Sequence, residues 1–259
     1  MKGGRPSRCA SARHSRSPCN NRSEPYRGRL NYPGLVILVS YLLGSIPFGY
    51  LLVRVFRGQD LRQTGSGNIG ATNVARTGSK WLAIATLVLD ALKGYIAVKI
   101  AFHLTGSYPP SFLTAPTGTM MDCTTIEICM RIMYVTASVA GLFAIIGHMF
   151  PFWLRFNGGK GVATAVGVFL AIAPAAVGVV LLVFITIVTI TRYVSLGSIV
   201  SAALFPFAAL WLNPETRNVT VMALIVASSL LIIVRHKDNI QRLIAGTENK
   251  FGSKKAGVA

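Results

Sequence analysis

Long apolar runs alternate with short polar ones along nearly the whole chain, and most reach the roughly 20 residues that an α-helix needs to cross a bilayer. Span 1 covers about 32–56 and contains Pro47, which frees a carbonyl and bends the helix toward its neighbour. Span 2 covers about 81–104, span 3 about 130–150, span 6 about 196–212 and span 7 about 219–234. Nearly thirty residues without charge lie between spans 3 and 6. Pro174 and Gly178 divide them into span 4, about 163–177, and span 5, about 178–191, which fits two shorter or partly re-entrant helices better than one long one. The pattern predicts an all-α integral membrane protein of seven transmembrane helices with polar loops between them.

Composition agrees with that pattern. Of the 259 residues 52% are hydrophobic and only 13% charged, with a mean hydropathy of +0.54, which excludes an ordinary soluble domain. Residues 1–30 differ: they are rich in Ser, Pro, Gly and Arg, carry eight of the 26 Lys/Arg, and predict a disordered basic tail. The membrane domain is expected over 31–250, with a flexible C-terminal tail over 251–259. The net charge of +18 favours anionic headgroups and phosphate-bearing substrates as partners over nucleic acid in a chain this apolar. Four cysteines, Cys9, Cys19, Cys123 and Cys129, have no paired metal spacing.

Charge placement predicts topology. Arg57, Arg62, Arg76 and Lys80 follow span 1, Arg155 and Lys160 follow span 3, Arg192 follows span 5, and Arg235, Lys237 and Arg242 follow span 7. The opposite connections hold only Arg217, with Arg131 just inside span 3, so the first face is predicted to be cytoplasmic. The basic tail runs against that count. Either it is not native to the mature chain or spans 4 and 5 are wrongly paired.

Three polar, donor-rich segments fall on that one face. The first, Asp60 to Arg76, holds Gly65, Ser66, Gly67, Asn68 and Asn73 between two arginines, a composition suited to cradling an anion. Ser66 has a second reading as a turn cap, and Asn68 and Asn73 either line the site or brace its backbone. The second segment, His148 to Lys160, ends in Gly158-Gly159-Lys160-Gly161 at a helix start, where backbone donors favour an anion. Gly158 and Gly159 alternatively relieve crowding there, and His148 fixes the loop rather than touching substrate. The third is Arg235 to Arg242. Within span 2, Asp90 and Lys93 lie three apart on one helix face and are expected to form an internal ion pair.

No HExxH occurs, the eight acids are scattered, and none of the four histidines has an Asp five residues on, so metal hydrolysis and a soluble-type acyltransferase dyad are not supported. Broken helices and anion-binding glycines also suit a membrane transporter of an organic phosphate, but the bases gather in connections rather than near the midplane. A non-catalytic lipid-binding protein would use the bases only for headgroup attraction.

Five ordered motifs carry a resemblance: YLLGSIPFGYLL, GxDLRxxGSGNIGATNVAR, LDxxKG, GHxFPxxLxFxGGKGVAT and RHxxNIxRLxxGxExK, running from about Tyr32 to Lys250. Together they resemble the bacterial membrane glycerol-3-phosphate acyltransferases that use acyl phosphate as donor. The resemblance implies a seven-helix protein of the bacterial cell inner membrane, its N-terminus outside and its site facing the cytoplasm. It implies transfer of a fatty acyl group to the 1-hydroxyl of glycerol 3-phosphate, giving 1-acyl-glycerol 3-phosphate and phosphate. Carried onto this chain, it implies that Ser66, Arg76 and Lys160 hold phosphate and that His236 and Asn239, with Arg242, complete the reaction site. Glycerol 3-phosphate, acyl phosphate and membrane phospholipid are the expected partners, with no nucleic acid, cofactor or metal, and a monomer is expected. Acyl phosphate is already activated, so alignment and charge stabilisation suffice; the base is His236 or a substrate phosphate.

Overall fold

The computed structural model describes residues 32–106 and 123–252. The expected disordered tail over 1–30, most of the proline-rich loop after span 2 and the last seven residues lie outside them. All regular structure in the described part is helical.

Span 1 is two helices, α1 (Tyr32–Ser45) and α2 (Phe48–Arg57), broken at Ile46 and Pro47. The break lies where Pro47 forces it, and there Lys93 Nζ donates at 2.7 Å to the Ile46 carbonyl, which also accepts from the Phe48 N–H at 3.1 Å. A 3₁₀ turn at Leu61–Gln63 and the five-residue α3 (Ala71–Ala75) follow, then α4 (Lys80–Gly106) and α5 (Cys123–Met149). A second 3₁₀ turn (Phe152–Leu154) leads to α6 (Val162–Ile172), α7 (Pro174–Thr191) and α8 (Val194–Leu212). After the 3₁₀ turn Pro214–Arg217 come α9 (Val219–Val234) and α10 (Lys237–Ile244), which meet at 54°.

Five of these elements are long and apolar enough to cross a membrane, and α9 with α10 makes a sixth if the bent pair is one span. The expected seven is therefore met, among the described residues, as five or six. The shortfall is in span 4. Its helix, α6, has only 11 residues, about 16 Å of rise against roughly 30 Å of hydrocarbon. The break after it also falls earlier than the expected 177/178 boundary. Ala173 leaves the helical region with φ −142° and ψ 65°, and Pro174 opens α7. A proline disfavours helical backbone in the residue before it yet suits the first turn of a helix, whereas Gly178 simply continues α7.

α1 packs along α5, α4 along α6 and α7 along α8. The α4–α6 contact is the closest in kind: a Cβ on Gly167 would collide with the Ala91 carbonyl, and one on Gly94 with the Thr164 carbonyl. Small residues let the two backbones approach, the main source of helix association where lipid replaces water. The core beside that seam holds Val98, Ile145, Met149, Val168, Phe169, Ile172 and Phe205. On the outside, Leu182, Ile190, Phe207 and Trp211 are exposed, a surface fit for lipid rather than water. Phe152 and Trp153 stack at 3.8 Å where α5 ends, and the Trp153 indole donates to Ser45 at 3.0 Å, an interfacial anchor.

Gly167→Val should lower the thermal midpoint of the detergent-solubilised protein, by about 1–3 kcal/mol or more of stability, because backbone must move. Gly178→Ala, whose added Cβ meets nothing within 4 Å, should stay within about 0.5 kcal/mol of the parent. Equal melting of the two variants would show that the α4–α6 seam is not close-packed.

Candidate functional site

The three donor-rich segments meet at one end of the bundle. Asp60, Arg62, Gln63, Ser66, Gly67 and Asn68 of the first, Asn157 and Gly158 of the second, and Arg235 of the third line a cleft of about 500 Å³.

The first wall organises itself around Asn73. This side chain is 2% exposed; its amide nitrogen faces the carbonyls of Leu61, Thr64 and Asn68 at 3.2, 2.9 and 2.8 Å, and its oxygen accepts from the Ser66 N–H at 2.9 Å. Asn73 thus braces the loop, and Asn68 does so on a smaller scale by accepting from the Gly70 N–H at 2.9 Å while also lining the cleft. Gly65, at φ +59°, lies against Asn73 so closely that a Cβ would strike the amide oxygen. The N–H groups of Arg62, Gln63, Thr64, Ser66, Gly67 and Gly70 all find acceptors inside the loop. Those six N–H groups are therefore committed to the loop rather than to an anion.

Ser66 and Gly67 face the cleft. Arg62 also faces it, but its guanidinium grips Asp60 at 3.0 and 2.6 Å, and with the Arg62 N–H holds that carboxyl at about 2. Arg76 is exposed at the end of α3, beside Gly65.

The second wall turns sharply at Arg155 and Phe156, two non-glycine residues at φ +52° and +62° held by bonds to the Phe152 and Pro151 carbonyls. The chain then folds back on the end of α5: Gly158 N–H donates to Met149 O at 3.1 Å and Gly159 N–H to His148 O at 3.0 Å. A Cβ on Gly159 would fall on the His148 ring. The two glycines are thus packing residues whose N–H groups are already used, and His148 fixes the loop as expected. Lys160 projects from the buried turn before α6 and bonds to Asn239 Oδ1.

The third wall is built on one carboxylate. Glu248 accepts from Asn239 Nδ2 and Arg242 Nε at 2.7 Å each and from Ser195 Oγ at 2.9 Å. Lys160, Asn239, Glu248 and Arg242 therefore form one chain of hydrogen bonds. His236 is 2% exposed, and its Nδ1 lies 2.7 Å from the Ile232 carbonyl. A carbonyl only accepts, so the proton sits on Nδ1 and Nε2 presents a lone pair. Arg235 reaches across to the Gly158 and Gly159 carbonyls at 3.4 and 3.3 Å, lies over the Phe150 ring at 5.1 Å, and keeps a buried Nε without a hydrogen-bond partner.

Arg235 and Glu248 were not among the expected site residues. Both stand inside the fifth motif, which was the available signal; what the motif does not reveal is that one ties the second and third walls and the other links Ser195 to the Lys160 chain.

A family model described as glycerol-3-phosphate acyltransferase matches residues 34–246, which include the first two walls and all of the third but Glu248. The chain belongs to this glycerol-3-phosphate acyltransferase family. Relatives named glycerol-3-phosphate acyltransferase include one from Agrobacterium fabrum, 44% identical over 85% of this chain and 92% of its own length. Another, from Mesorhizobium japonicum, is 42% identical over 85% of this chain and 96% of its own. The fold resembles the crystal structure of PlsY, an integral membrane glycerol 3-phosphate acyltransferase, in its glycerol 3-phosphate form. That match has TM-score 0.69 and 34% identity over 85% of this chain and 96% of that one. The lysophosphatidic acid form of the same enzyme matches with TM-score 0.66.

Burial pulls the Lys160 ammonium of this acyltransferase from the ordinary lysine range down to about 8; Glu248 pulls the other way, and Arg242 and Arg76 add to the depression. Lys160 is charged below that value and neutral above it. The kcat/KM of the free enzyme should therefore fall as pH rises through about 8, and Lys160→Arg, charged throughout, should flatten that limb whatever its absolute rate. An unchanged alkaline limb in Lys160→Arg would separate Lys160 from the titration.

Proposed function

We propose that the cleft holds glycerol 3-phosphate beside acyl phosphate and transfers the acyl group between them. The observation that carries this is the meeting of three remote segments at one cleft, lined by Arg62, Ser66, Asn157, Gly158 and Arg235, with the hydrogen-bonded Lys160–Asn239–Glu248–Arg242 chain outside its lining but springing from two of the same segments. Two phosphorylated reactants need more than one cationic hold, and forked guanidinium contacts suit phosphate. Ser66 and Arg76 on one wall and Lys160 and Arg242 on the other take the phosphates. Asn239 aims the Lys160 ammonium.

The glycerol 1-oxygen attacks the acyl carbonyl, the bond from that carbon to the phosphate oxygen breaks, and inorganic phosphate leaves with 1-acyl-glycerol 3-phosphate as the other product. The hydroxyl proton passes to His236 Nε2 or to a phosphate oxygen. Because the donor is a mixed anhydride, holding the reactants in line supplies most of the acceleration, and no covalent enzyme intermediate is needed.

The proposed setting is the bacterial inner membrane, with seven crossings, the cleft on the cytoplasmic face, and the chain acting as a monomer. Ala176 N–H donates to Asn213 Oδ1 at 3.1 Å, so the start of α7 lies beside the end of α8, which supports α6 as a short seventh crossing. Arg57, Arg62, Arg76, Arg155, Lys160, Arg192, Arg235 and Lys237 gather at the cleft end, which supports that end as cytoplasmic. Residues 31–250 carry the activity in this reading, with 1–30 and 251–259 as tails.

Purified protein in lipid should turn over acyl phosphate and glycerol 3-phosphate, releasing acyl ester and phosphate in equal amounts without acyl-CoA, acyl carrier protein or divalent metal. Arg76→Ala and Lys160→Ala should each lower kcat/KM by about 10- to 100-fold, the worth of a charge-assisted bond, with unchanged melting. Near-normal kinetics in both would remove these residues from the phosphate site, and an inert parent protein would overturn the reaction itself.

A further inference from the structure

Asp90 and Lys93 on α4 and His148 near the end of α5 are ionisable side chains buried in the bundle, exposed by 2, 3 and 4%. None of them lines the cleft. Buried ion pairs are poor stabilisers, because desolvation cancels most of their attraction and apolar replacements often do as well. Their reach is more informative than their energy.

One arm runs to the first wall. Lys93 Nζ lies 2.8 Å from Asp90 Oδ1 and donates to the Ile46 carbonyl at 2.7 Å, inside the α1–α2 break. Just beyond that break, Gly49 sits so tightly on the Ile69 carbonyl that a Cβ would collide with it, and Ile69 belongs to the loop braced by Asn73. The other arm runs to the second wall. His148 Nδ1 lies 3.5 Å from the same Asp90 Oδ1; its carbonyl accepts from the Gly159 N–H, and its ring fills the space a Gly159 Cβ would need. A continuous series of contacts, from Ile69 through Gly49, Ile46, Lys93, Asp90 and His148 to Gly159, thus links two walls of the cleft behind the reactants.

We infer that Asp90, Lys93 and His148 are positioning residues that fix the separation between the 60–76 loop and the 158–161 loop. The inference rests on the acyl-transfer reading, in which each loop carries part of the hold on a phosphate. Reactants held by different loops meet in line only if the loops keep their spacing, and a misplacement of about 1 Å costs about 100-fold in rate.

The test removes both charges together, so that neither is left unpaired. Asp90→Asn with Lys93→Met, in the full-length protein in lipid, should melt within a few degrees of the parent yet lose about tenfold or more in kcat with both substrates saturating. Parent-like melting with parent-like turnover overturns the inference. Should melting and rate fall together, the His148 arm decides. His148→Asn places an amide nitrogen where Nδ1 stood, and should keep turnover within about threefold of the parent, while His148→Leu fills the space without a polar atom and should lose about tenfold or more. Equal turnover of those two variants overturns the inference as well. A parent protein that turns over neither substrate strikes the acyl-transfer reading instead, a result distinct from the others.

Discussion

Every departure from helix inside this bundle must be answered by a side chain, because no water is there to answer it. That constraint accounts for the placement of the buried polar residues better than any stabilising role does. Lys93 donates to the Ile46 carbonyl at the Pro47 break, Asn213 accepts from the Ala176 N–H in the first turn of α7, and Thr216 donates to the Ala209 carbonyl at 2.9 Å where α8 ends. Each is an uncharged or paired donor or acceptor placed at a chain interruption. The membrane part can then afford breaks, and the breaks are what let the cleft-forming loops enter the bundle.

The same economy governs the cleft. Its two loops satisfy their own backbones first, one through Asn73 and the other through the last carbonyls of α5, and so reach the substrate as rigid walls. Charge is added afterwards, on side chains. Glu248 is the one acid within the Lys160 chain, bonded to Asn239, Arg242 and Ser195, while Lys160 lies within electrostatic range of Arg242 and Arg76. Burial is the main cause of the depressed Lys160 ammonium; Arg242 and Arg76 add to it, while Glu248 and Asp238 work against it. In the proposed reaction the phosphate groups of the two reactants meet this positive charge.

Much of this was legible in the chain. The apolar runs placed α1 with α2, α4, α8 and α9 to within a few residues, and the end of α5 though its start lies seven residues earlier than expected, since a spanning helix is written in composition over some twenty positions. The spacing of Asp90 and Lys93 gave their ion pair, and the three donor-rich segments were recognisable from glycine, hydroxyl and base content. What failed depended on local competition or on distance in the sequence. Pro174 outweighed Gly178 in ending α6, because a proline acts on its neighbour's backbone while a helical glycine merely weakens the helix. The loop glycines read as anion donors, but Thr64 and Asn68 take the N–H groups of Gly67 and Gly70, and the α5 terminus takes those of Gly158 and Gly159. Arg235 and Glu248 were hidden by distance in the chain: their partners are Gly158, Gly159 and Ser195.

The short α6 draws these threads together. An 11-residue helix that begins at the buried Gly161 cannot carry Lys160 out to the surface; it holds the base of that side chain within the bundle, and the flexible stem brings the ammonium to Asn239. Glycines on both sides of the α4–α6 contact, Gly94 and Gly167, let α6 lie against α4 at backbone distance, one helical turn from the Asp90–Lys93 pair. Lengthening α6 by two turns to make an ordinary span would push the glycine loop away from His148 and carry Lys160 past Asn239. The short α6 is therefore a condition of these contacts: its length is the one that the Lys160–Asn239 bond and the packing of Gly159 on His148 require.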